Sequence, residues 1–152
     1  EARSVELSAY ADRVRACDAA RDLVGPLPVA SLDAIAAIDD VVLRRRARHV
    51  RTECDRVRAG VDALRAEDLA TFGDLMIESQ RSLRDDFEVS TPRLDAIVDA
   101  MTATAGVHGA RLTGAGFGGC VVAMCDAGAV PDPAMFGADG WIVRAAEGAR
   151  VD

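Results

Sequence analysis

The residues best suited to chemistry lie in a glycine-rich stretch near the end of the chain. Four of the six residues from Gly114 to Gly119 are glycine. Glycine reaches positive φ values without the steric cost of a side chain and lets the backbone approach a ligand closely. Successive backbone N–H groups in such a loop can line a concavity that binds anions. By composition alone, the stretch fits a phosphate-binding loop and a tight turn between two strands equally well.

Two common nucleotide-binding motifs do not fit this stretch. The pattern Gly114-x-Gly116-x-x-Gly119 matches the dinucleotide fingerprint in its letters, but that fingerprint requires a helix to open at its end. The segment that follows, from Cys120 to Met124, is apolar and strand-like instead. A P-loop ends in Gly-Lys-Ser or Gly-Lys-Thr. This loop ends in Gly-Gly-Cys, and the whole chain contains no lysine, which also excludes Schiff-base chemistry.

The other reactive residue types favour structural roles. Adjacent carboxylates at Asp85 and Asp86 could hold a magnesium ion. At a helix end, however, such carboxylates more often pair with neighbouring arginines, here Arg81 or Arg84, or cap the next helix. The four cysteines form no C-x-x-C pair and are predicted to be buried free thiols. With only two histidines in the chain, we predict no metal site.

Composition and charge narrow the class of protein. The formal net charge is −7, whereas a nucleic-acid binder usually carries a basic patch. The one dense basic run, Arg44 to Arg46 with Arg48 and Arg51, spreads around a helix and is predicted to form a solvated or salt-bridged face, with an anion or partner site as the less favoured alternative. Half of the residues are hydrophobic, enough for one core, but no run of about 18 apolar residues predicts a membrane span. We expect a folded soluble domain in the cytoplasm.

Apolar residues at helical spacing predict the elements that precede the loop. We predict helices over residues 7–24, 31–38, 43–64, 69–83 and from 91 onward. Gly25-Pro26 stops the first helix, Ser31 caps the second, and Thr91-Pro92 opens the last. The apolar residues from Leu43 to Leu64 recur in steps of four and three, which predicts a long core helix with a narrow apolar seam, or a coiled coil.

Strands are predicted only after Gly106. Residues 110–112 and 120–124 read as two short strands that flank the glycine loop. A short helix near 133–136 and a final strand over 141–146 follow. Helices first and strands late predict an α+β fold, in which helices cover an antiparallel sheet.

Several of these segments together resemble one family. The string Gly-Ala-Arg-Leu-Thr-Gly-Ala-Gly-Phe-Gly-Gly-Cys, from Gly109 to Cys120, closely resembles the third conserved motif of galactokinases in the GHMP kinase family. Further matches occur in the family's order: Tyr10-x-x-Arg13-x-x-x-Cys17, Arg45 to Val50 with Glu53, and Ser82 to Asp95. The resemblance covers nearly the whole chain. It departs from the family at Gln80, where a histidine is common, at Leu112, usually methionine, and at Ala115, often glycine.

The resemblance implies a GHMP kinase C-terminal domain over residues 1–152. Galactokinases transfer the γ-phosphoryl group of ATP, used with Mg²⁺, to the anomeric hydroxyl of galactose. The family's Glu-His-x-Asp signature, its Gly/Ser-rich phosphate motif and its Asp base do not occur in this sequence, which also does not begin with Met. We therefore expect the N-terminal ATP- and sugar-binding domain to be absent from this chain, no catalytic residue to lie within it, and the chain alone to be inactive.

The resemblance also implies two sets of binding residues. Tyr10 aligns with a tyrosine that contacts galactose; the alternative is a ring packed on the core. Thr113, Gly114, Ala115, Gly116, Phe117, Gly118 and Gly119 align with the family's third motif, which lies beside the phosphate loop and can face the phosphates. The surface that would meet the missing domain could support self-association. Two other functions stay open: a sugar or nucleotide sensor without catalysis, and a helical interaction domain that uses the seam from Leu43 to Leu64.

Overall fold

The computed structural model describes residues 2–129 and 131–144. Within them, five α-helices precede one β-hairpin. The helices are α1 (Ala2–Val24), α2 (Leu32–Ala36), α3 (Val41–Arg65), α4 (Leu69–Asp85) and α5 (Pro92–Thr102), and the strands are β1 (Val107–Thr113) and β2 (Cys120–Cys125). Short 3₁₀ turns cover Leu27–Val29 and Pro133–Phe136. The predicted α+β class, with helices against an antiparallel sheet, is confirmed.

Side-chain caps fix where four of the helices begin. Each cap oxygen accepts a hydrogen bond from a backbone N–H of the first turn, which satisfies a group with no partner inside the helix. The caps are Ser31 for α2, Asp40 for α3, Asp68 for α4 and Thr91 for α5. The predicted roles of Ser31 and Thr91, and of Pro92 at the first helical position, are confirmed.

Helices α3 and α4 form an antiparallel pair, as the short link between them predicts. The pairs Glu53–Ser79 and His49–Ser82 follow opposite directions along the two helices. The predicted apolar seam of α3 is correct only in its first half, because Val57, Val61 and Leu64 are exposed. In the second half the small residues Gly60 and Ala63 are buried instead, and in the first half the polar residues Arg46 and His49 are buried as well.

The hairpin pairs Thr113 with Cys120 and Leu112 with Val121, with an irregularity between Val107 and Gly109. Its first strand packs on α4 and α5. Both predicted strands exist and are longer than predicted. The final strand predicted over 141–146 does not form over 141–144, and its last two residues lie outside the described residues. Trp141 is 82% exposed, and an apolar run becomes a strand only where a neighbouring strand offers it a packed surface.

Two apolar cores hold these elements together. The first joins α1, α2 and α3 through Ala20, Leu27, Ile35, Ile38 and Ala47. The second consists of Leu83, Val89, Leu94 and Leu112, and Phe117 of the glycine loop packs against it. The loop is therefore anchored on a core and does not project freely from the hairpin.

The cysteines differ in exposure from the prediction that all four are buried. All four cysteines are free, as predicted, but none is fully buried: Cys17, Cys54 and Cys125 are half-buried and Cys120 is exposed, so the predicted burial is wrong. Cys120 begins β2 on the solvent side of the hairpin, directly after the exposed Gly118 and Gly119.

Among the residues that the structure describes, no helix has both the length and the apolar composition to cross a membrane.

Candidate functional site

The glycine loop, residues 114–119, connects the paired ends of β1 and β2. Its backbone has positive φ at Gly114 (84°), Gly116 (83°), Phe117 (58°) and Gly118 (114°). Only glycine adopts such angles readily. The glycines predicted to matter are therefore required by the path of the chain, and Phe117 is held in an unfavourable conformation by its surroundings.

Phe117 and Gly116 attach the loop to the segment before α5. The Phe117 N–H donates to the carbonyl oxygen of Val89 at 2.8 Å. Gly116 lies so close to Val89 that an added Cβ would be 2.7 Å from the Val89 Cβ. The loop is thus seated on one residue of the second core, a contact that the sequence did not indicate.

The other four residues of the loop, Gly114, Ala115, Gly118 and Gly119, are exposed to solvent. Within the described parts of the chain their N–H groups donate no hydrogen bond. Unpaired backbone donors in a left-handed loop form the kind of concavity that binds phosphate or carboxylate oxygens. The geometry therefore allows an anion-binding role for the loop.

Helix α1 brings the other predicted binding residue to the same region. Arg13 of α1 donates to the carbonyl oxygens of Phe87 and Glu88, both at 2.7 Å, and its guanidinium lies 5.6 Å from the centre of the Phe117 ring. Tyr10 lies one helical turn before Arg13, and residues three apart share a helix face. Tyr10 is 47% exposed, which disfavours the alternative of a ring packed on the core.

A groove of about 600 Å³ opens beside the loop. Gly118 and Gly119 form one wall, and the beginning of α5 with Thr91 and Arg93 forms another. The Arg93 guanidinium also donates to the carbonyl oxygen of Gly137 at 2.7 Å. No pattern in the sequence indicates this groove, because its walls come from segments with no shared motif.

The periodicity of the sequence also gives no sign of a half-buried polar network centred on Glu53. The carboxylate of Glu53 accepts hydrogen bonds from Ser79 at 2.7 Å, Arg56 at 2.8 Å and Arg111 at 2.7 Å. Burial raises the pKa of Glu53, but the bonds from Ser79 and Arg56 and the charge of Arg111 outweigh it, so the pKa lies below its usual value. Glu53 thereby links α3 and α4 to β1 as a carboxylate. Its place in the family resemblance was the one signal for it.

Gln80 of α4 forms hydrogen bonds with the end of β1 and with the residues around the start of α5. Its carbonyl oxygen accepts from the Leu112 N–H at 2.8 Å, and its amide nitrogen donates to Ser90 at 3.1 Å and to Asp95 at 2.9 Å. The residue that departs from the family's usual histidine therefore supports the end of β1 and the entry to α5. The amide serves here because it donates and accepts at once.

The carboxylates of Asp85 and Asp86 pair with arginines, and Asp85 does so with one of the two predicted partners. Asp85 accepts from Arg84 at 2.8 Å, and Asp86 pairs with Arg48. The run of arginines on α3 is salt-bridged, as also predicted, although Arg46 within it is only 3% exposed. Across residues 2–129 and 131–144, no three histidine, cysteine or acidic side chains converge where a metal ion could be held.

His49 gives the domain a pH-dependent stability. Burial of the imidazole, which stacks on Phe87 with ring centres 4.5 Å apart, lowers the pKa of His49 to about 4. The unfolded chain should protonate near pH 6.5, so between pH 6.5 and 4 the unfolded state binds the extra proton. Stability is then lost as the pH falls through that window, by about 2 kcal/mol between pH 7 and pH 5. Urea unfolding at both pH values measures it.

Two variants separate the effect of His49 from that of the carboxylates. His49→Gln should remove the loss between pH 7 and 5, because the amide does not titrate. His108→Gln, at the second of the two histidines in the chain, should retain it. An equal loss in the protein and in His49→Gln would assign the pH dependence to other groups.

Comparisons with known proteins agree with this fold. The family model described as "GHMP kinases C terminal" matches residues 61–132, which include the glycine loop. Human galactokinase is 42% identical over 97% of this chain, and galactokinase of Roseiflexus sp. is 46% identical over 85%. The solved structure of Lactococcus lactis galactokinase complexed with galactose is 33% identical over 82% of the chain, with a TM-score of 0.66.

These matches involve only part of each relative. The chain spans 41% of the human protein, 36% of the Roseiflexus protein and 33% of the Lactococcus structure. The chain therefore contains a GHMP kinase C-terminal domain and is homologous over most of its length to galactokinases.

Proposed function

We propose that this chain is the C-terminal part of a kinase that transfers the γ-phosphoryl group of ATP to the anomeric hydroxyl of galactose. The observation that carries the proposal is the glycine loop, whose exposed, unpaired amides lie beside the helix that presents Tyr10, in a chain 42% identical to human galactokinase. Phosphoryl transfer depends mainly on positioning and on stabilising the charge of the transferred group. Loop amides and a sugar-contacting phenol supply positioning of that kind.

The catalytic base and the main phosphate loop belong, in this proposal, to an N-terminal part outside this chain. The Mg²⁺ that accompanies ATP is assigned to no residue here, because the described residues offer no cluster of ligands for it. The complete protein, meaning this chain joined to that N-terminal part, would act in the cytoplasm, where ATP is supplied.

The experiment is a measurement of galactose 1-phosphate from galactose and Mg-ATP. The complete protein should turn over at the rate of an ordinary kinase, on the order of 1–100 s⁻¹, and the isolated chain should give no product above background. Product from the isolated chain would contradict the assignment of the base to another part. Galactose binding by the complete protein without turnover would favour a sensor instead.

A helical interaction role is favoured by one observation. Val57, Val61 and Leu64 are exposed along the second half of α3. If this face binds a second copy, the protein should dimerise as its concentration rises, and Val57→Asp should abolish the dimer. A monomer at all concentrations in analytical ultracentrifugation would exclude self-association through this face.

Tyr10 is the side chain most expected to touch the sugar. Its exposed phenol can donate a hydrogen bond to a sugar hydroxyl or accept one from it. Losing one such bond costs about 0.5–1.5 kcal/mol, so Tyr10→Phe in the complete protein should raise KM for galactose roughly twofold to tenfold. KM for ATP should stay nearly unchanged. Parental values of both constants in a folded variant would make Tyr10 a packing residue.

A further inference from the structure

Five consecutive carbonyl oxygens, from Asp85 to Val89, each accept a hydrogen bond from a donor elsewhere in the chain. We call Asp85–Val89 the clamped segment. Two arginines of α3 serve the first two carbonyl oxygens: Arg45 donates to that of Asp85 and Arg46 to that of Asp86. Arg13 of α1 donates to Phe87 and Glu88 at 2.7 Å each. The last donor is the Phe117 N–H of the glycine loop, which binds the Val89 carbonyl oxygen at 2.8 Å.

The clamped segment needs these donors because it begins at the last residue of α4 and continues as irregular chain, where no helix or strand pairs its carbonyl groups. Carbonyl groups at a helix end lack partners within the helix, and guanidinium groups supply strong, charge-assisted bonds. The backbone of Glu88 also has a φ of +55°, a conformation that costs free energy for any residue with a side chain. The contacts around Glu88 must therefore hold the turn in place.

The Glu88 side chain supplies the second half of that restraint. Its carboxylate pairs with Arg45 at 2.8 Å and with Arg46. The hydrogen bond from Arg46, the largest cause, and the charges of Arg45 and Arg13 lower the pKa of Glu88. The carboxylate is thus held by two guanidinium groups of α3, while Arg13 of α1 holds the carbonyl oxygen of the same residue.

The conformation of Glu88 decides where the next residue points. Val89 directs its carbonyl oxygen at Phe117, and Gly116 is seated against Val89. Arg13 acts on both partners of this contact, because its guanidinium binds the clamped segment and also lies over the Phe117 ring. The left-handed shape of the glycine loop is therefore supported from α1 and α3 through a single turn of backbone.

We propose that Arg13 and Arg46 are positioning residues for the glycine loop: they fix the clamped segment, and through Val89 they fix the loop amides that face an anionic ligand. The identity of that ligand as the phosphates of ATP rests on the proposed function. The positioning itself rests on the contacts of the two arginines.

The decisive variant is Arg13→Lys in the complete protein. Lysine keeps the charge but replaces the planar fork, whose Nε and Nη2 bind the two carbonyl oxygens beside the Phe117 ring, with a compact ammonium group that lacks this fixed geometry. The matched control is Arg15→Lys, the same change two residues later on α1, where the exposed side chain pairs with Asp12 on its own helix. Hydrogen–deuterium exchange of the peptide that contains residues 113–119 reports loop closure without depending on catalysis.

We expect about tenfold faster exchange at the Phe117 amide in Arg13→Lys, as for the loss of one charge-assisted bond, and no change in Arg15→Lys. The dissociation constant of a non-hydrolysable ATP analogue should rise several-fold in the first variant only. Ile35→Val, a small change in the other apolar core, controls for a general loss of stability. An unchanged exchange rate of the Phe117 amide in Arg13→Lys would overturn the proposal. If the complete protein is an active kinase, faster exchange without any change in the dissociation constant of the ATP analogue would overturn it too.

A second pair of variants tests the Glu88 step if Arg13→Lys does not fold. Glu88→Ala removes the ion pairs and keeps the strained φ, whereas Glu88→Gly removes both. The loop should exchange faster in the alanine variant than in the glycine variant, and equal rates would contradict the role of the Glu88 turn. If the parent protein forms no galactose 1-phosphate while Arg13→Lys still opens the loop, the proposed function fails and the positioning role stands.

Discussion

In the kinase proposed above, replacement of Gly116 by valine should lower kcat/KM by roughly 30- to 4,000-fold while the protein stays folded. Gly116 has a φ of +83°, and a Cβ there would be 2.7 Å from the Val89 Cβ and closer still to the Val89 carbonyl oxygen. A left-handed residue with a side chain costs about 1–2 kcal/mol, and overpacking a further 1–3 kcal/mol. Each 1.4 kcal/mol lost from transition-state stabilisation is tenfold in rate.

In this variant the glycine loop should move away from Val89, while the rest of the domain keeps its fold. The bond between Phe117 and Val89 contributes only about 0.5–1.5 kcal/mol, less than the clash, so moving the exposed loop off Val89 is the cheaper response. Circular dichroism and the melting temperature should therefore stay near the parental values while the kinetics change. A folded Gly116→Val enzyme with normal kinetics would show that the loop is only a turn.

A neighbouring glycine provides the matched control. Gly114 has a φ of +84°, but no atom lies within 4 Å of the position that its Cβ would take. Gly114→Ala therefore imposes backbone strain alone, whereas Gly116→Ala adds the contact with Val89. A larger kinetic defect in Gly116→Ala than in Gly114→Ala would assign the difference to that contact. Equal defects would mean that strain alone decides.

The parts of the fold that the sequence predicted are those decided locally. The side-chain oxygen of Thr91 accepts a hydrogen bond from the N–H of Leu94, only three positions later. Pro92 already has the φ that the first turn requires. The two strands around the glycine loop were found for the same reason. Alternation, caps and turn glycines are properties of neighbouring residues, so they can be interpreted without tertiary structure.

The parts that could not be predicted depend on residues far apart in the chain. Glu53 is held by Arg111, 58 positions away, and Arg13 by the carbonyl of Phe87, 74 positions away. A buried carboxylate or guanidinium looks like a surface residue until its partner is known. For that reason the apolar pattern of α3 assigned Val57 to the core and left Arg46 outside it, the reverse of what the structure shows.

The candidate site shows the same division. The glycine loop was recognisable because its residue types are unusual. Its support was not, because the left-handed turn at Glu88 runs against the local preference of glutamate and exists only through the arginines that bind it. Family resemblance supplied Arg13, Glu53 and Tyr10 as positions but gave no reason for the first two, which the contacts now provide.

Gly73→Ala should destabilise the domain by about 2–3 kcal/mol, because it forces α4 away from β1. A Cβ at Gly73 would be 2.8 Å from the His108 Cβ and closer still to the His108 carbonyl oxygen. From the other side, a Cβ at Gly109 would be 2.7 Å from the Gly73 Cα. Both neighbours are backbone or close to it, so no flexible side chain can move aside. Overpacking costs about 1–3 kcal/mol and occasionally more, and the rigidity of this contact places the cost at the upper end.

The opposite sign is expected at a second helix glycine. Alanine is favoured over glycine inside a helix by about 1 kcal/mol, and a Cβ at Gly60 would only make ordinary contact with the Phe72 ring at 3.4 Å. Gly60→Ala should therefore raise the free energy of unfolding by up to about 1 kcal/mol, while Gly73→Ala lowers it despite the same gain in helix propensity. Denaturant unfolding of both variants measures the two values. Because β1 ends at the glycine loop, a Gly73→Ala protein that folds should also exchange its Phe117 amide faster; if both substitutions stabilise the domain, α4 and β1 are not in the close contact on which the loop depends.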